Sequence, residues 1–571
     1  MISARASATQ PSEKVVIAMP ELPNDLAATV MLILPWPLIT VGLGISLIAY
    51  RYTRWTKALT TASTWVALMA AIVALGFYLL GNSGSETLFS IPLPMWLGSI
   101  AINVEVNGLT VLMLVLVALV GVVVARFSST YLHGDKREGS FHGWLSLVLG
   151  SFFMLISAGN MWEFVVFWIA TSLGVHQLLV FYRDRPIAVL AARKQYLLHR
   201  LADATLITAF VLISQALHTS NFSRIGLALA RAHGAMPMGL QIASGLLVVT
   251  AVLKSAQFPF HGWLVQVMEA PTPVSALLHA GVIYTGTFVL LRMVPIISRV
   301  LWASDTLVVM SLIAIVVASL MMMTMTNIKG FLAYSTSAQM GFMLLECGLG
   351  LYSLALLHIV SHSVYKAHAF LSSGSVVDYH RSPTLPTGPR AVSMGKIIGT
   401  VLLAIAGVIG IGSAFGAPMF DNGALVVMGI VLATAVSQLL MQSFTLDPSG
   451  TGALAWMGLG LSALISTAYF GLGILFTHLS QGVLPTPLSA RGLVHEGLVG
   501  LVAMVFIGLW WLRQMLPRVR ESRLGWAIYV HLYNDLYLDV MFTRLVRRFW
   551  PGQARDLPCA SMLDDQWGEA V

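Results

Sequence analysis

The stretch Leu240–Gly281, LQIASGLLVVTAVLKSAQFPFHGWLVQVMEAPTPVSALLHAG, decides how this chain is read. It opens with some fourteen mostly apolar residues and then places a lysine, Lys254, within the run. Such a run takes a helix most of the way across a hydrocarbon core about 30 Å thick. Five residues after Lys254, Pro259 removes a backbone donor and breaks the helix, which frees carbonyls that need water, protein or a cation. Pro271-Thr272-Pro273 prevents a continuous helix and restarts the chain as a new apolar run, with His279 about two turns inside it. A charge at bilayer depth costs roughly 2.5 to 3.5 kcal/mol on insertion scales, so a lysine beside a helix break calls for a compensating use. Burial and a neighbouring carboxylate together make such a lysine a plausible proton carrier. Snorkelling of Lys254 to the interface is the plainer alternative, and for His279 it is packing.

Working outward, runs of the same kind recur along the chain, about fifteen in all, giving an all-α polytopic membrane protein. Of 571 residues, 57% are hydrophobic and 10% charged, against about 25% charged in soluble domains. The expected organisation is a polar segment 1–26, spans one to three in 27–140, spans four to eight in 141–296, and spans nine to thirteen in 297–450. Spans fourteen and fifteen follow in 451–516, and an amphipathic tail in 517–571. Residues 1–26 hold no early apolar stretch, so no cleavable signal is expected. The net charge of +8 falls in loops between the runs, which excludes a nucleic-acid partner as its explanation. With the amino terminus outside, inside loops carry about 18 Lys and Arg, against about five in the opposite set (Arg224, Arg231, Arg292, Arg299, Arg491). The positive-inside rule therefore places the carboxyl terminus in the cytoplasm. Cys347 and Cys559 lie in no CxxC pair and support neither a disulfide framework nor a thiolate metal site.

Further ionisable residues lie inside the runs. Glu163 sits in MWEFVVFW, as a functional group or as a boundary carboxylate. Arg200 and Asp203 are spaced i, i+3 and are expected to pair locally, with Asp203 either a structural or an ion-translocation residue. His358, His362 and Lys366, spaced i, i+4, i+8, line one helix face, while His368 lies on another. Two histidines at i, i+4 could bind zinc, but no glutamate follows the first and a lysine shares the stripe, which favours a proton relay. After about residue 516 the tail interleaves aromatic, acidic and basic residues and is too polar to span. Tyr529, Tyr533, Asp535, Tyr537 and Asp539 are its candidate partner-docking residues. Nucleophile motifs, phosphate loops and cofactor boxes are lacking, so the class is ion or proton conduction rather than an enzyme, with no cofactor and no metal. The competing class is a structural anchor whose polar residues only pack the bundle.

The segment from Lys254 to Gly281 resembles the antiporter-like subunits of respiratory complex I and the related Mrp-type cation antiporters. So do NIKGFLAYSTSAQMGFM (Asn327–Met343), HIVSHSVYKAHAFLSSGS (His358–Ser375), MWEFVVFW around Glu163, and VNGLTVLML with ARFSSTYLHGD around span three. The resemblance covers most of residues 100 to 380. It implies inverted repeats with broken helices, a gating ion pair between Glu163 and Lys254, and relay roles for His279, His358, His362 and Lys366. Asn107 and Asn327 occupy positions that are commonly Asp in that family. GIGSAFGAPMFDNG (Gly410–Gly423) lacks the lysine of a Ser-Lys-Asp exit group. Roughly 55 residues follow the last run, which leaves no room for the lateral helix of complex I's distal subunit. These departures make the chain similar to the membrane subunit of the two-component DAB inorganic carbon pumps. That resemblance implies a DabA-like peripheral partner with a carbonic-anhydrase-like zinc site, and a flux of H+ or Na+ that energises CO2 or bicarbonate accumulation. A complex I, membrane hydrogenase or Mrp subunit is the other reading within the superfamily.

Overall fold

The computed structural model describes residues 26–48, 52–81, 83–92, 99–231, 235–374, 394–417, 420, 422–445, 452–485, 492–519 and 522–550. Its helices are α1 (Leu26–Ile33), α2 (Trp36–Ile48), α3 (Thr53–Leu79), α4 (Gly108–Tyr131), α5 (Glu138–Ser157), α6 (Met161–Leu179), α7 (Pro186–Leu217) and α8 (Phe222–Arg231). After these come α9 (Met238–Lys254), α10 (Gly262–Gln266), α11 (Thr272–Ala280), α12 (Thr285–Arg292), α13 (Val294–Ile297), α14 (Leu301–Met322), α15 (Ile328–Gly348) and α16 (Tyr352–Leu371). The last six are α17 (Met394–Ala414), α18 (Gly423–Thr445), α19 (Ala453–Leu479), α20 (Leu493–Val519), α21 (Arg523–Tyr533) and α22 (Leu538–Phe549).

Twelve of the described helices are long and apolar enough, by length and composition, to cross a membrane, which does not confirm the expected count of about fifteen. The three runs that fall short are α9, which is 17 residues long and stops at Lys254, and α15 and α16. The last two are 21 and 20 residues long, but they carry Lys329 and Glu346, and three histidines with Lys366. The same side chains that suggest function lower the hydropathy of their helices.

Helix starts follow from local chemistry. Asn107, Asn160 and Asn327 each cap a helix, accepting from the amides of Thr110, Trp162 and Gly330 respectively. A side-chain oxygen at that position satisfies an otherwise orphaned backbone N–H. Asparagine does this as well as aspartate, without bringing a charge, which accounts for Asn107 and Asn327.

Two helices break inside the bundle. After Lys254 the chain turns through Ala256, at φ 48°, before α10 resumes. The freed carbonyls are taken up by protein: Gln257 Nε2 donates to Ser255 O at 2.8 Å, and Ser337 Oγ donates to Ala256 O at 3.1 Å. The second break, between α11 and α12 at Gly281, was not foreseen from Pro271 and Pro273, which stand at the start of α11. There Tyr284 Oη donates to His279 O at 3.0 Å and Ser363 Oγ donates to Ala280 O. Irregular backbone at this depth persists because it is buried in protein, and the stretch Thr272–Arg292 is wholly buried. Gly286 lets α12 cross the end of α9, since a Cβ there would lie 2.2 Å from Ser255 Oγ and 2.7 Å from Ala251 O. By contrast, only about a fifth of α19 and α20 is buried, 22% and 17% of their apolar windows.

One element lies outside the helical reading. β1 (Gly84–Pro92) and β2 (Ser99–Val106) pair antiparallel between α3 and α4. Val104 and Val106 of β2 enter the core, and Val104 bridges to Ala158. Asn103 and Glu105 are left to face polar partners.

At the opposite end of the bundle, α21 and α22 fold back beneath the break after Lys254. Between them Asp535, Leu536 and Tyr537 are all left-handed, at φ 58°, 50° and 61°.

Candidate functional site

The first cluster is built on the hairpin. Glu163 is buried in the first turn of α6, where the helix dipole favours a carboxylate. Its Oε2 accepts from the Asn103 amide of β2 at 2.9 Å, while Oε1 has no partner. Arg292, buried at the end of α12, stands within electrostatic reach. It binds Glu105 Oε2 at 2.9 Å and donates to the carbonyls of Ile156 at 3.0 Å and Ala158 at 2.6 Å. From sequence Arg292 counted as a loop cation; the structure makes it a clamp joining β2, α5 and α12.

Lys254 does not pair with Glu163, contrary to what the resemblance implies. Its Nζ is buried without a hydrogen-bond acceptor and rests 4.3 Å from the centre of the Trp168 ring. The indole stands where a carboxylate was expected, since Trp168 Nε1 donates to Asp203 Oδ1 at 2.8 Å and Asp203 pairs with Arg200 at 2.8 Å. An ammonium over an indole face keeps part of its lost solvation through the ring quadrupole. Asp203 is thus tied to Lys254 through Trp168, and to Arg200 as the i, i+3 spacing suggested. One turn before Asp203, His199 Nδ1 contacts Ser172 Oγ at 2.8 Å and Gln195 Nε2 at 2.6 Å, and its ring meets Trp263 edge-on.

The second cluster is the face of α16. His362 and Lys366 are buried, His358 is partly buried and His368 is exposed, as the spacing predicted. Lys366 Nζ donates to Leu332 O at 2.9 Å. Tyr284 spends its own proton on His279 O, so it accepts from His362 Nδ1 at 2.9 Å. This fixes the neutral tautomer of His362 and leaves the Nε2 lone pair unoccupied. His279 stacks on Phe370 with centroids 4.3 Å apart, and its Nδ1 has no partner. The His358 ring is 6.1 Å from that of His362; its Nδ1 lies 3.1 Å from Glu346 Oε2, and its Nε2 lies 2.8 Å from Gln339 Oε1.

At the tail, Asp535 Oδ1 lies 2.7 Å from His261 Nε2 and accepts from Tyr334 Oη at 3.1 Å. Asp539 accepts from Lys194 Nζ at 2.6 Å and from Gln266 Nε2 at 2.6 Å. Both acids therefore turn into the body, where buried His261 and Lys194 hold them. Tyr529, Tyr533 and Tyr537 stay exposed, at 42%, 48% and 45%.

The structure thus gathers His279, His362 and Lys366, with His358 beside them, and gathers Lys254 with Asp203, while it leaves Glu163 with Asn103. Sequence reasoning missed Glu346, Tyr284, Trp168, His199, His261 and Lys194. Glu346 could have been found by the rule used for Glu163, being an acid in the apolar run MGFMLLECGLG. Trp168 and Tyr284 gave no signal, because aromatic residues are ordinary in a span.

Two family profiles match the chain. One is described as NADH:quinone oxidoreductase/Mrp antiporter, transmembrane, over residues 158–446; the other as NADH-ubiquinone oxidoreductase (complex I), chain 5 N-terminus, over 96–142. The probable inorganic carbon transporter subunit DabB2 of Halothiobacillus neapolitanus is 38% identical, over 89% of this chain and 92% of its own. The probable inorganic carbon transporter subunit DabB of Hydrogenovibrio crunogenus is 44% identical, over 48% of this chain and 53% of its own. In fold, the chain superposes on a subunit of the Mrp complex from Dietzia sp. DQ12-45-1b with TM-score 0.60 at 20% identity, over 95% of this chain and 61% of that one. The chain belongs to the DabB family, among the antiporter-like, ion-conducting, multi-pass membrane subunits of the NADH:quinone oxidoreductase/Mrp group.

Proposed function

We propose that this chain conducts protons, and that the flux energises uptake of inorganic carbon, as CO2 or bicarbonate, in complex with a peripheral subunit of the DabA type. The observation that carries the reading is the run of proton-exchanging groups around Lys366, in which Tyr284 orders His362 and leaves its second nitrogen open. A proton can hop along nitrogen bases and hydroxyls, whereas a hard cation such as Na+ favours a cage of oxygens. The names of the DabB relatives support inorganic carbon as the transported class. A zinc-held, carbonic-anhydrase-like reaction then belongs to the partner subunit, and this chain performs no chemistry of its own.

The positive-inside bias supports a bacterial inner-membrane location with the amino terminus outside and the tail in the cytoplasm. The exposed aromatic residues of the tail, Trp526, Tyr529 and Tyr533, then face the compartment in which a peripheral subunit would dock.

The test is co-expression with the partner in cells that need added bicarbonate to grow in air. Lys254→Met and Lys366→Met are expected to abolish rescue while the complex still assembles; full rescue by both would sink conduction. Rescue that survives a protonophore and tracks external Na+ would replace H+ by Na+. Copurification with quinone or hydrogenase subunits, rather than one large zinc-bearing partner, would move the chain to the redox branch of the superfamily.

A further inference from the structure

The residues Gly410–Ala417 at the end of α17 hold no titratable side chain, yet the run of exchangeable groups does not stop at Lys366. From Lys366, His362 lies one turn and His358 two turns back along α16, and Glu346 faces His358 from α15. Glu346 is buried two residues from the carboxyl end of α15, at the end of the bundle that carries the hairpin. Tyr78, next to that hairpin, donates to Leu479 O at the matching end of α19 at 2.7 Å.

Glu346, His358, Gln339 and Ser361 line a cavity of about 520 Å³ whose far wall comes from α18, α19 and α20, with nothing contributed by α17. It adjoins a second cavity of about 560 Å³ through the shared residues Leu354 and Tyr469. The second is bordered by Asn422, His478 and Gln481, at the hairpin ends of α18 and α19. Either volume has room for many waters, and in the first Glu346, His358, Gln339 and Ser361 offer them polar partners.

We propose that Glu346 and His358 are the terminal proton-exchange pair of the second cluster, trading protons with water in these cavities at the hairpin end and needing no group from α17. The inference rests on the conduction reading above. Gln339 Oε1 accepts from His358 Nε2–H, which leaves Nδ1 facing Glu346. A proton delivered to the open Nε2 of His362 passes across one water, in the 6.1 Å between rings, to the unprotonated Nδ1 of His358 and makes that ring imidazolium. Nδ1–H then donates to the Glu346 carboxylate, which takes the proton and releases it to cavity water, so that both residues return to their starting forms. The opposite direction uses the same steps.

The experiment uses the assembled complex in the growth-rescue assay. Glu346→Gln, which keeps shape and hydrogen bonding but cannot exchange a proton, is expected to lower flux at least tenfold, and Glu346→Asp is expected to retain most of it. On a Cys559→Ser background, Ser361→Cys is expected to react with a charged methanethiosulfonate reagent, which modifies thiols only where water reaches; Cys347 is buried. Wild-type flux in Glu346→Gln, or an unreactive Ser361→Cys, overturns the proposal, and reactivity decides alone if Glu346→Gln does not assemble. Inactive Lys366→Met beside fully active Glu346→Gln removes this outlet and leaves conduction standing. Full activity in both removes conduction itself.

Discussion

Asp539→Ala should release α22 from the body without unfolding the bundle. Lys194 has a fully buried side chain, and its contacts are Asp539 Oδ1 at 2.6 Å and Gln266 Oε1 at 3.0 Å. Removing one partner of a buried ion pair typically costs about 3 to 5 kcal/mol, because the other charge stays desolvated. The Asp539 side chain is 24% exposed, so solvent screens part of the attraction, and about 2 to 3 kcal/mol is expected. At 1.4 kcal/mol per factor of ten, that raises the opened fraction of α22 roughly 30- to 150-fold. Hydrogen exchange of the amides in Leu538–Phe549 reads this directly, since opening sets their protection. α16 serves as the internal control. The companion Lys194→Met/Asp539→Leu, which removes both charges and keeps the volume, should recover most of the protection. Less than a threefold rise in the single variant would show that apolar packing of α22, not the ion pair, holds the tail.

Three shorter expectations follow from the same structure. Arg292→Met leaves Glu105 without its cation and two carbonyls without a donor, and should cost about 3 to 5 kcal/mol; an unchanged thermal melt of the purified complex would refute the clamp. Asn107→Ala should lose about 1 kcal/mol of helix-cap energy whereas Asn107→Asp loses almost none, and equal melts for the two would remove the capping account. Gly286→Ala forces α12 away from Ser255 and Ala251 at a penalty of about 1 to 3 kcal/mol, and adding Ser255→Gly should relieve part of it. If the single variant melts like the wild type, the close crossing is not what sets that junction.

Much of this fold was legible because bilayer insertion writes a one-dimensional code: apolar length, proline breaks and charged loops. The i, i+4, i+8 stripe of His358, His362 and Lys366 was equally legible, since helix geometry alone puts those residues on one face. What escaped the sequence was pairing across elements. Lys254 was expected to meet Glu163, but the partner facing it is set by how α6 and α7 pack, and that places Trp168 there instead. The hairpin escaped for a related reason. Its strands lie between spans, where apolar length carries no message, yet Asn103 and Glu105 reach Glu163 and Arg292 from it. The break at Gly281 was hidden because α11 and α12 together read as a single apolar run.

The three left-handed residues between α21 and α22 give the tail a loaded geometry. Outside glycine, that conformation costs roughly 1 to 2 kcal/mol per residue, and here it is maintained where Asp535 and Asp539 are gripped by His261, Tyr334, Lys194 and Gln266. The junction Asn534–Leu538 contains neither glycine nor proline. Letting go of the two acids would therefore allow α21 and α22 to straighten into a single rod over residues 523–549, about 40 Å long at 1.5 Å per residue. The folded-back tail is in this sense a sprung arm, whose reach is set by two carboxylates.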